Sequence, residues 1–317
     1  MNTTSLFQSE RFRAVCRRLL YDAGLAAGGA IVVSFLTVLI LANGGLAYDT
    51  HAYWLAARHI VDGTSLYAPA TVYDLGAYKY PPLFAQLFVP VGFLPELLVA
   101  WLWRISGILC LRYMVGSWRG SLVACAFIPV AIELSQGNVT LQLGALMMFA
   151  LRDRRGAYLL PWAAALKFGP ALLVPYLWFR KPETRRPIIV GSALFLAFCV
   201  VSWLIAPNLW SAYIGTFGWE TASEMSGGGV IAIVPSWGGL DFALRLAIAG
   251  LAALYAVYSK RGWLAYAAAV VTCPVLAAGR LAPLVGLWQF RRSGAWGRID
   301  DSTSPLPEFV LPEGAPA

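Results

Sequence analysis

Long apolar blocks separated by short polar segments run along most of the chain. The first block, residues 23–42, is uncharged, and its length at 1.5 Å per residue covers the roughly 30 Å hydrocarbon core of a bilayer. Its length and poor cleavage signal favour a retained span over a signal peptide. Further spans are expected at Pro187–Ala206 and Gly238–Tyr258. The apolar region 81–151 adds crossings whose number the pattern does not fix. This arrangement predicts an all-α fold, a polytopic transmembrane helical bundle.

One long polar and aromatic segment, residues 43–81, follows the first block. Within it, Asp49–Val61 shows helical periodicity with an apolar face that includes Tyr53, which predicts a helix lying at the membrane interface. Gly63 is expected to end this helix. If the first span runs from the cytoplasm outwards, this segment is the first extracytoplasmic loop.

Two later apolar segments are broken in their middles and carry basic residues at both ends. Gly156–Phe179 has Phe-Gly-Pro directly after Lys167, and Gly262–Phe290 carries Arg280 near its middle. The first segment either crosses once against the charge rule or forms two short half-helices that return to the same side. The second alternative places Lys167 inside the membrane. Broken helices at membrane depth line protein cavities, and buried cations there need an anion or a cavity.

Charge and composition support a membrane domain. The chain is 59% hydrophobic and 13% charged with mean hydropathy +0.66, whereas soluble domains have roughly 25% charged residues. The net charge of +8 comes from basic runs between the apolar blocks, as in cytoplasmic loops. We therefore expect a multi-pass protein of the plasma (inner) membrane with a cytoplasmic N-terminus, and no nucleic-acid partner. The runs are Arg11, Arg13, Arg17 and Arg18; Arg152, Arg154 and Arg155; Arg180, Lys181, Arg185 and Arg186; Lys260 and Arg261; Arg291 and Arg292.

The domain organisation follows from the same pattern. Residues 1–292 are interpreted as one integral membrane domain, and residues 293–317, rich in Pro, Ser and acidic residues, as a disordered tail. The five cysteines share no Cys-x-x-Cys spacing and indicate neither disulfides nor ligands. The outer loops contain no Asp-x-Asp or His-rich cluster, so no metal and no cofactor are expected.

A series of short motifs in the first loop and the following apolar region resembles glycosyltransferase family 87, of the GT-C superfamily of polyprenyl-phosphate-sugar-dependent membrane enzymes. The resemblance covers roughly residues 44–182. In order, the motifs are Tyr48-Asp49-x-x-x-Tyr53, Ala56-Ala57, Gly63-x-x-Leu66-Tyr67, Tyr78-x-Tyr80-Pro81-Pro82-Leu83, Gln136-Gly137-Asn138 and Leu166-Lys167-x-x-Pro170.

The resemblance implies a hexosyltransferase, with mannose as the family's usual sugar. Its donor is a polyprenyl-phosphate sugar, its acceptor a lipid or glycan on the extracytoplasmic face, and membrane lipids surround it. Asp49 matches the first-loop acid that acts as general base in such enzymes. Lys167, from the family match and its depth, and Arg280, from depth alone, are the candidates for binding the donor phosphate.

Five further residues are candidates for substrate contact, each with an alternative. The histidine is either a partner of the Asp49 carboxylate or a solvated loop residue. The two tyrosines contact substrate or anchor the interface. The two amides orient a sugar or bond across helices. The five are His51, Tyr53, Tyr80, Gln136 and Asn138.

Two other functions stay open at this stage. Intramembrane cations and broken helices are also typical of a non-enzymatic transporter or flippase for a lipid-linked or anionic substrate. The family's late Ser-Pro-x-Ser-Trp-x-His-like stretch is replaced here by Thr272–Arg280, which lacks the histidine. This departure leaves a non-catalytic membrane scaffold as the third alternative.

Overall fold

In the computed structural model of the chain, residues 24, 27–41, 45, 47–67, 78–215, 240–272 and 278–292 are described, and every regular element within them is a helix. The α-helices are α1 (Ala27–Leu41), α2 (Tyr48–Asp62), α3 (Pro82–Gly92), α4 (Glu96–Val115), α5 (Trp118–Cys125), α6 (Ile128–Gln136), α7 (Thr140–Arg152), α8 (Leu160–Leu166), α9 (Val174–Arg180), α10 (Arg185–Ile205), α11 (207–215), α12 (Leu240–Ser259), α13 (Gly262–Val271) and α14 (Leu287–Arg292). Segments of 3-10 helix cover Arg154–Leu159, Gly169–Leu173, Pro182–Thr184 and Ala278–Gly286.

The helices have the length and surface of a membrane protein. Within the described ranges, Glu96–Val115 and Pro182–Ile205 are long and apolar enough to cross a bilayer, and α5 with α6 makes a third candidate bent by 90°. Only 17% of the apolar window in Pro182–Ile205 is buried inside the protein. Large apolar side chains exposed in this way need lipid around them, because a soluble monomer rarely exposes such a surface. The all-α membrane fold expected from the sequence is confirmed.

Helix boundaries agree with the polar breaks in the sequence. The predicted helix in the first loop is α2, and Gly63 ends it in the left-handed conformation with φ 66°. The predicted span Pro187–Ala206 is α10, within two residues at either end. Helix α1 lies within the first block, and α12 covers residues 240–258 of the predicted span Gly238–Tyr258, whose first two residues lie outside the described ranges. The tail, residues 293–317, lies outside the described residues.

The segment Gly156–Phe179 is broken at its middle. Helix α8 ends at Leu166, Lys167 is extended (φ −148°, ψ 132°), and a 3-10 turn begins at Gly169. The Lys181 ammonium, just after α9, donates to the carbonyl of Leu151 near the end of α7. Both ends of the segment therefore lie on the same side of the protein, which is the arrangement of two half-helices.

The basic runs that flank these helices gather on one side. The Arg180 guanidinium donates to the carbonyls of Val257 and Tyr258 at the end of α12. The Arg152 guanidinium lies 4.9 Å from the ring centre of Tyr113, near the end of α4. With the Lys181 contact, these interactions place the C-terminal ends of α4, α7, α9 and α12 together.

The main hydrophobic core lies between α7, the α8–α9 segment, α13 and α14. Tyr266 at its centre is fully buried. Its hydroxyl donates to the carbonyl of Pro283 at 2.8 Å, which ties α13 to the 3-10 segment Ala278–Gly286. The second predicted broken segment is thus helical at both ends, and residues 273–277 between them lie outside the described ranges.

Candidate active site

The turn between α6 and α7 holds the start of α2. Gly137 occupies this turn with φ 66°, a conformation that favours glycine. The Thr50 hydroxyl, fully buried, donates to the Gly137 carbonyl at 2.9 Å. A Cβ on Gly137 would overlap that hydroxyl. The Gln-Gly-Asn motif therefore packs directly against the Tyr-Asp motif of the first loop.

Asn138 connects an acid to a cation in this region. Its side-chain Nδ2 donates to Asp49 Oδ2 at 2.8 Å, and its Oδ1 accepts from Lys167 Nζ at 2.5 Å. Lys167 Nζ also donates to Thr140 Oγ1 at 2.8 Å, and that hydroxyl donates to Asn138 Oδ1 at 2.9 Å. Asn138 is 7% exposed. We call Asp49, Asn138, Thr140 and Lys167 the polar cluster.

The polar cluster brings together three segments that are distant in sequence. Asp49 lies in the first turn of α2, and Asn138 lies in the turn between α6 and α7. Thr140 is the first residue of α7, and Lys167 lies at the break after α8. Two hydrogen bonds and the width of one carboxamide separate Asp49 Oδ2 from Lys167 Nζ, so the two atoms lie within about 8 Å. Asp49 and Lys167 are each half buried, so both keep a path to a bound molecule.

A second acid, Glu133, contacts the polar cluster through Thr140. It was not among the residues predicted from the sequence. It is 2% exposed, and its Oε1 accepts from the backbone N–H of Thr140 at 2.8 Å. This bond fixes the first residue of α7, Thr140, which accepts from Lys167 as Asn138 does two positions earlier. The signal was present in the sequence, because an acid within an apolar segment marks a functional site by default.

Arg104, in the middle of α4, holds the backbone around the cluster. It is 2% exposed and donates to the carbonyls of Gly45, Leu134 and Ser135 at 2.7, 3.2 and 3.3 Å. These carbonyls precede α2 and end α6. The buried Arg104 side chain on α4 therefore joins the start of the first loop to the end of α6.

Two predicted substrate residues, Tyr53 and Tyr80, lie beside the cluster in an aromatic group. Their hydroxyls are 3.3 Å apart, and the Tyr67 hydroxyl donates to the Tyr80 carbonyl at 2.6 Å. Burial raises the pKa of the Tyr53 and Tyr78 phenols well above the usual value, so both hydroxyls stay neutral.

The aromatic group lines a partly open cavity of about 50 Å³, which we call the aromatic pocket. Its walls are apolar, although it borders the polar cluster. It is lined by Tyr53, Tyr78, Tyr80, Phe84, Ala85, Phe88, Trp103, Val139 and Leu166.

The remaining predicted residues occupy other positions. His51 Nδ1 lies 2.7 Å from Glu96 Oε1, so within the described residues the partner of this ring nitrogen is Glu96 and not Asp49. Gln136 is the half-buried last residue of α6, and within the described ranges its side chain has no hydrogen bond to Asp49. Arg280 lies in the 3-10 segment Ala278–Gly286, with its side chain outside the described part of the chain. Asn138 donates to Asp49 on α2. This is the bond between helices that was one of the two alternatives for its amide.

Comparison with known proteins identifies the family. The model of glycosyltransferase family 87 matches residues 78–296. The chain belongs to glycosyltransferase family 87. The match extends beyond residue 182, where the motif resemblance ended, and it includes Asn138, Lys167 and Arg280. Asp49 precedes the matched residues and is connected to them by its hydrogen bond from Asn138.

A curated relative of this family 87 protein comes from Mycolicibacterium smegmatis. It is a polyprenol-phosphate-mannose-dependent alpha-(1-2)-phosphatidylinositol pentamannoside mannosyltransferase, 28% identical over 202 residues. The alignment covers 55% of this chain and 48% of the relative, so the chain spans about half the length of the curated relative it matches. No solved structure matches the chain.

Proposed function

We propose that this membrane protein is a hexosyltransferase, with mannose as the expected sugar. It moves the sugar from a polyprenyl-phosphate donor to a lipid or glycan acceptor on the extracytoplasmic face. The observation that carries the proposal is the Asn138 side chain, which bonds both Asp49 and Lys167. A carboxylate and an ammonium within about 8 Å of each other are the two groups that displacement of a phosphate leaving group needs.

The reaction follows from the roles of these two groups. The acceptor hydroxyl attacks the anomeric carbon while Asp49 takes its proton, and the bond between that carbon and the phosphate oxygen breaks. The electron pair leaves on the lipid phosphate, where Lys167 stabilises the developing charge. Attack opposite the leaving group inverts the anomeric carbon. Arg280 stays the second proposed phosphate cation, in keeping with its place in the broken segment before α14.

The position of the cluster supports reaction near the outer face. Helix α7 runs from Thr140, in the cluster, to Arg152, on the basic side. Thirteen residues of α-helix separate these levels by about 18 Å, within a hydrocarbon core of roughly 30 Å. If the basic side faces the cytoplasm, with the N-terminus there too, the cluster lies in the outer half of the membrane. We take residues 1–292 as one domain of a plasma (inner) membrane protein.

The donor and the acceptor are proposed from the relative. That mycobacterial protein depends on polyprenol-phosphate mannose and acts on a phosphatidylinositol mannoside, a lipid carrying sugars. A cation near the outer half of the membrane suits the phosphate of a lipid-linked donor, since the lipid chain holds that phosphate at the interface.

A transfer assay tests the proposal. Purified protein in lipid nanodiscs is given polyprenyl-phosphate [³H]mannose and a membrane lipid extract, with the polyprenyl-phosphate glucose analogue in parallel. The expected result is a labelled glycolipid or glycan whose new bond has inverted configuration. Labelled donor that crosses the membrane of proteoliposomes without a new glycosidic bond would instead establish a transporter. The absence of both product and transport would favour a scaffold.

A further inference from the structure

The aromatic pocket lies directly beside the polar cluster and has no role in the chemistry above. Each of three chain segments contributes to both. Asp49 and Tyr53 are four residues apart on α2 and share a face. Asn138 and Val139 are adjacent in sequence, as are Leu166 and Lys167, which puts their Cα atoms about 3.8 Å apart. Asp49, Asn138 and Lys167 belong to the polar cluster. Tyr53, Val139 and Leu166 line the pocket.

The walls of the pocket determine what chemistry it accepts. Ring faces and aliphatic groups line it, from Phe84, Phe88 and Trp103 among others. A sugar ring in such a site would leave its hydroxyl groups without partners, at a cost that binding does not recover. The indole Nε1 of Trp103 donates to the Asn138 carbonyl at 3.2 Å, so this donor is already used. A hydrocarbon group fits the walls.

The size of the pocket fits a small hydrocarbon unit. Its volume of about 50 Å³ gives room for roughly four water-sized groups, by the measure in which one such group needs about 10–15 Å³. One isoprene unit, with five carbons, is of this size. Because the pocket is partly open, it can hold the unit of a lipid that lies next to the polar end while the rest of the chain lies outside it.

We propose that the aromatic pocket binds the isoprene unit adjacent to the phosphate of a polyprenyl-phosphate donor, while Lys167 binds the phosphate. The inference rests on the proposed function for the lipid phosphate and adds the group that recognises its chain. The pocket thereby distinguishes a polyprenyl phosphate from inorganic phosphate and from the hydrophilic phosphates of nucleotide sugars. It also fixes the direction in which the donor chain leaves the site.

Binding of a short donor fragment tests this without requiring transfer. Citronellyl phosphate, which carries two isoprene units, is titrated by calorimetry into the protein in nanodiscs, with inorganic phosphate in parallel. Ala85, 1% exposed at the pocket wall, is replaced in Ala85→Leu to fill the cavity. Phe88→Ala removes a wall instead, which covers the case in which the filled variant does not fold. The matched control is Leu87→Phe on the same helix, because Leu87 is 50% exposed and lies outside the pocket.

The expected result is a loss of affinity for citronellyl phosphate of at least about tenfold in both pocket variants, from the lost apolar burial. Inorganic phosphate should bind them as it binds the wild type, and Leu87→Phe should bind both ligands normally. Unchanged citronellyl phosphate affinity in folded pocket variants would overturn the inference. So would a higher KM for the acceptor with an unchanged KM for the donor, which would assign the pocket to an acceptor chain. Wild-type protein that binds citronellyl phosphate through the pocket but transfers no sugar would leave the inference standing and refute the proposed function.

Discussion

Asn138 donates a 2.8 Å hydrogen bond to Asp49 across 89 positions of the chain. The bond fixes the carboxylate at one end of a carboxamide whose other end accepts from Lys167. Asp49 is therefore not a freely solvated loop residue. Its position relative to the cation is set by the Asn138 side chain, which is itself buried in the turn between α6 and α7.

Replacing Asn138 should slow the reaction more than it weakens donor binding. In Asn138→Ala, Asp49 and Lys167 lose their shared partner, and misplacement of a base by about 1 Å can cost roughly a hundredfold in rate. We expect kcat to fall by about 10- to 100-fold, with a smaller change in the KM for the donor. Steady-state kinetics with the lipid-linked donor measure both. An unchanged kcat would show that Asn138 does not position the reacting groups.

Replacing Lys167 should mainly weaken the donor and its leaving group. Lys167→Ala removes the ammonium that the proposed mechanism places at the phosphate, so kcat/KM for the donor should fall by about 100-fold or more. Lys167→Arg keeps the charge and should restore part of the activity. Lys79→Ala is the matched control, because Lys79 is an exposed lysine in the first loop, the loop that carries Asp49. Equal losses in the Lys79 and Lys167 variants would point to a general charge effect on the surface.

We expect Glu133 to position Thr140 through the oxygen that accepts from its backbone N–H. Glu133→Gln keeps a side-chain oxygen for the Thr140 N–H, whereas Glu133→Leu leaves that buried N–H without its partner. We expect the glutamine variant to keep its kcat within severalfold of wild type and the leucine variant to resemble Asn138→Ala. A glutamine variant as inactive as the leucine variant would instead give the negative charge of Glu133 a direct role. Both variants are compared at equal folded protein, quantified by size-exclusion chromatography.

The sequence predicted most of the helices but only part of the site. Hydrophobic blocks and glycine or proline breaks are local signals, so α2, α10 and the break at Lys167 were predictable from period and composition. The partners of His51 and Asn138 were not, because they depend on how α2 packs against α4 and α7. Glu96 follows Pro95 and is the first residue of the apolar helix α4, and nothing near it in sequence indicates the contact with His51.

Some features depend on packing alone. The aromatic pocket is assembled from five separate segments, so no spacing in the sequence marks it. The 90° bend between α5 and α6 also lacks a polar break. It lies at Ala126 and Phe127, two apolar residues between the helices. In the sequence, Arg104 is a single basic residue in an apolar block. Its bonds to three backbone carbonyls, seen in the fold, indicate that it stabilises the structure.

Removal of Arg104 should destabilise the protein rather than change its kinetics directly. Arg104→Leu leaves three carbonyls without their donor, and an unsatisfied buried group costs about 1–3 kcal/mol. We expect a loss of at least about 3 kcal/mol in unfolding free energy, measured by denaturant titration in detergent. Arg112→Leu, on the same helix but only half buried, should cost much less. Equal stability of the two variants would contradict the role given to Arg104.

The central claim is that Asp49 removes the proton from the acceptor in a glycosyl transfer. The most direct test measures transfer of labelled mannose from polyprenyl phosphate by wild type, Asp49→Asn and Asp62→Asn under one set of conditions. Asp62 belongs to the same helix but is exposed and paired with Arg58, so its variant serves as the control. We predict that Asp49→Asn lowers the rate by about 10²- to 10⁴-fold while still binding citronellyl phosphate, and that Asp62→Asn transfers as the wild type does. Equal transfer by Asp49→Asn and the wild type would contradict the claim.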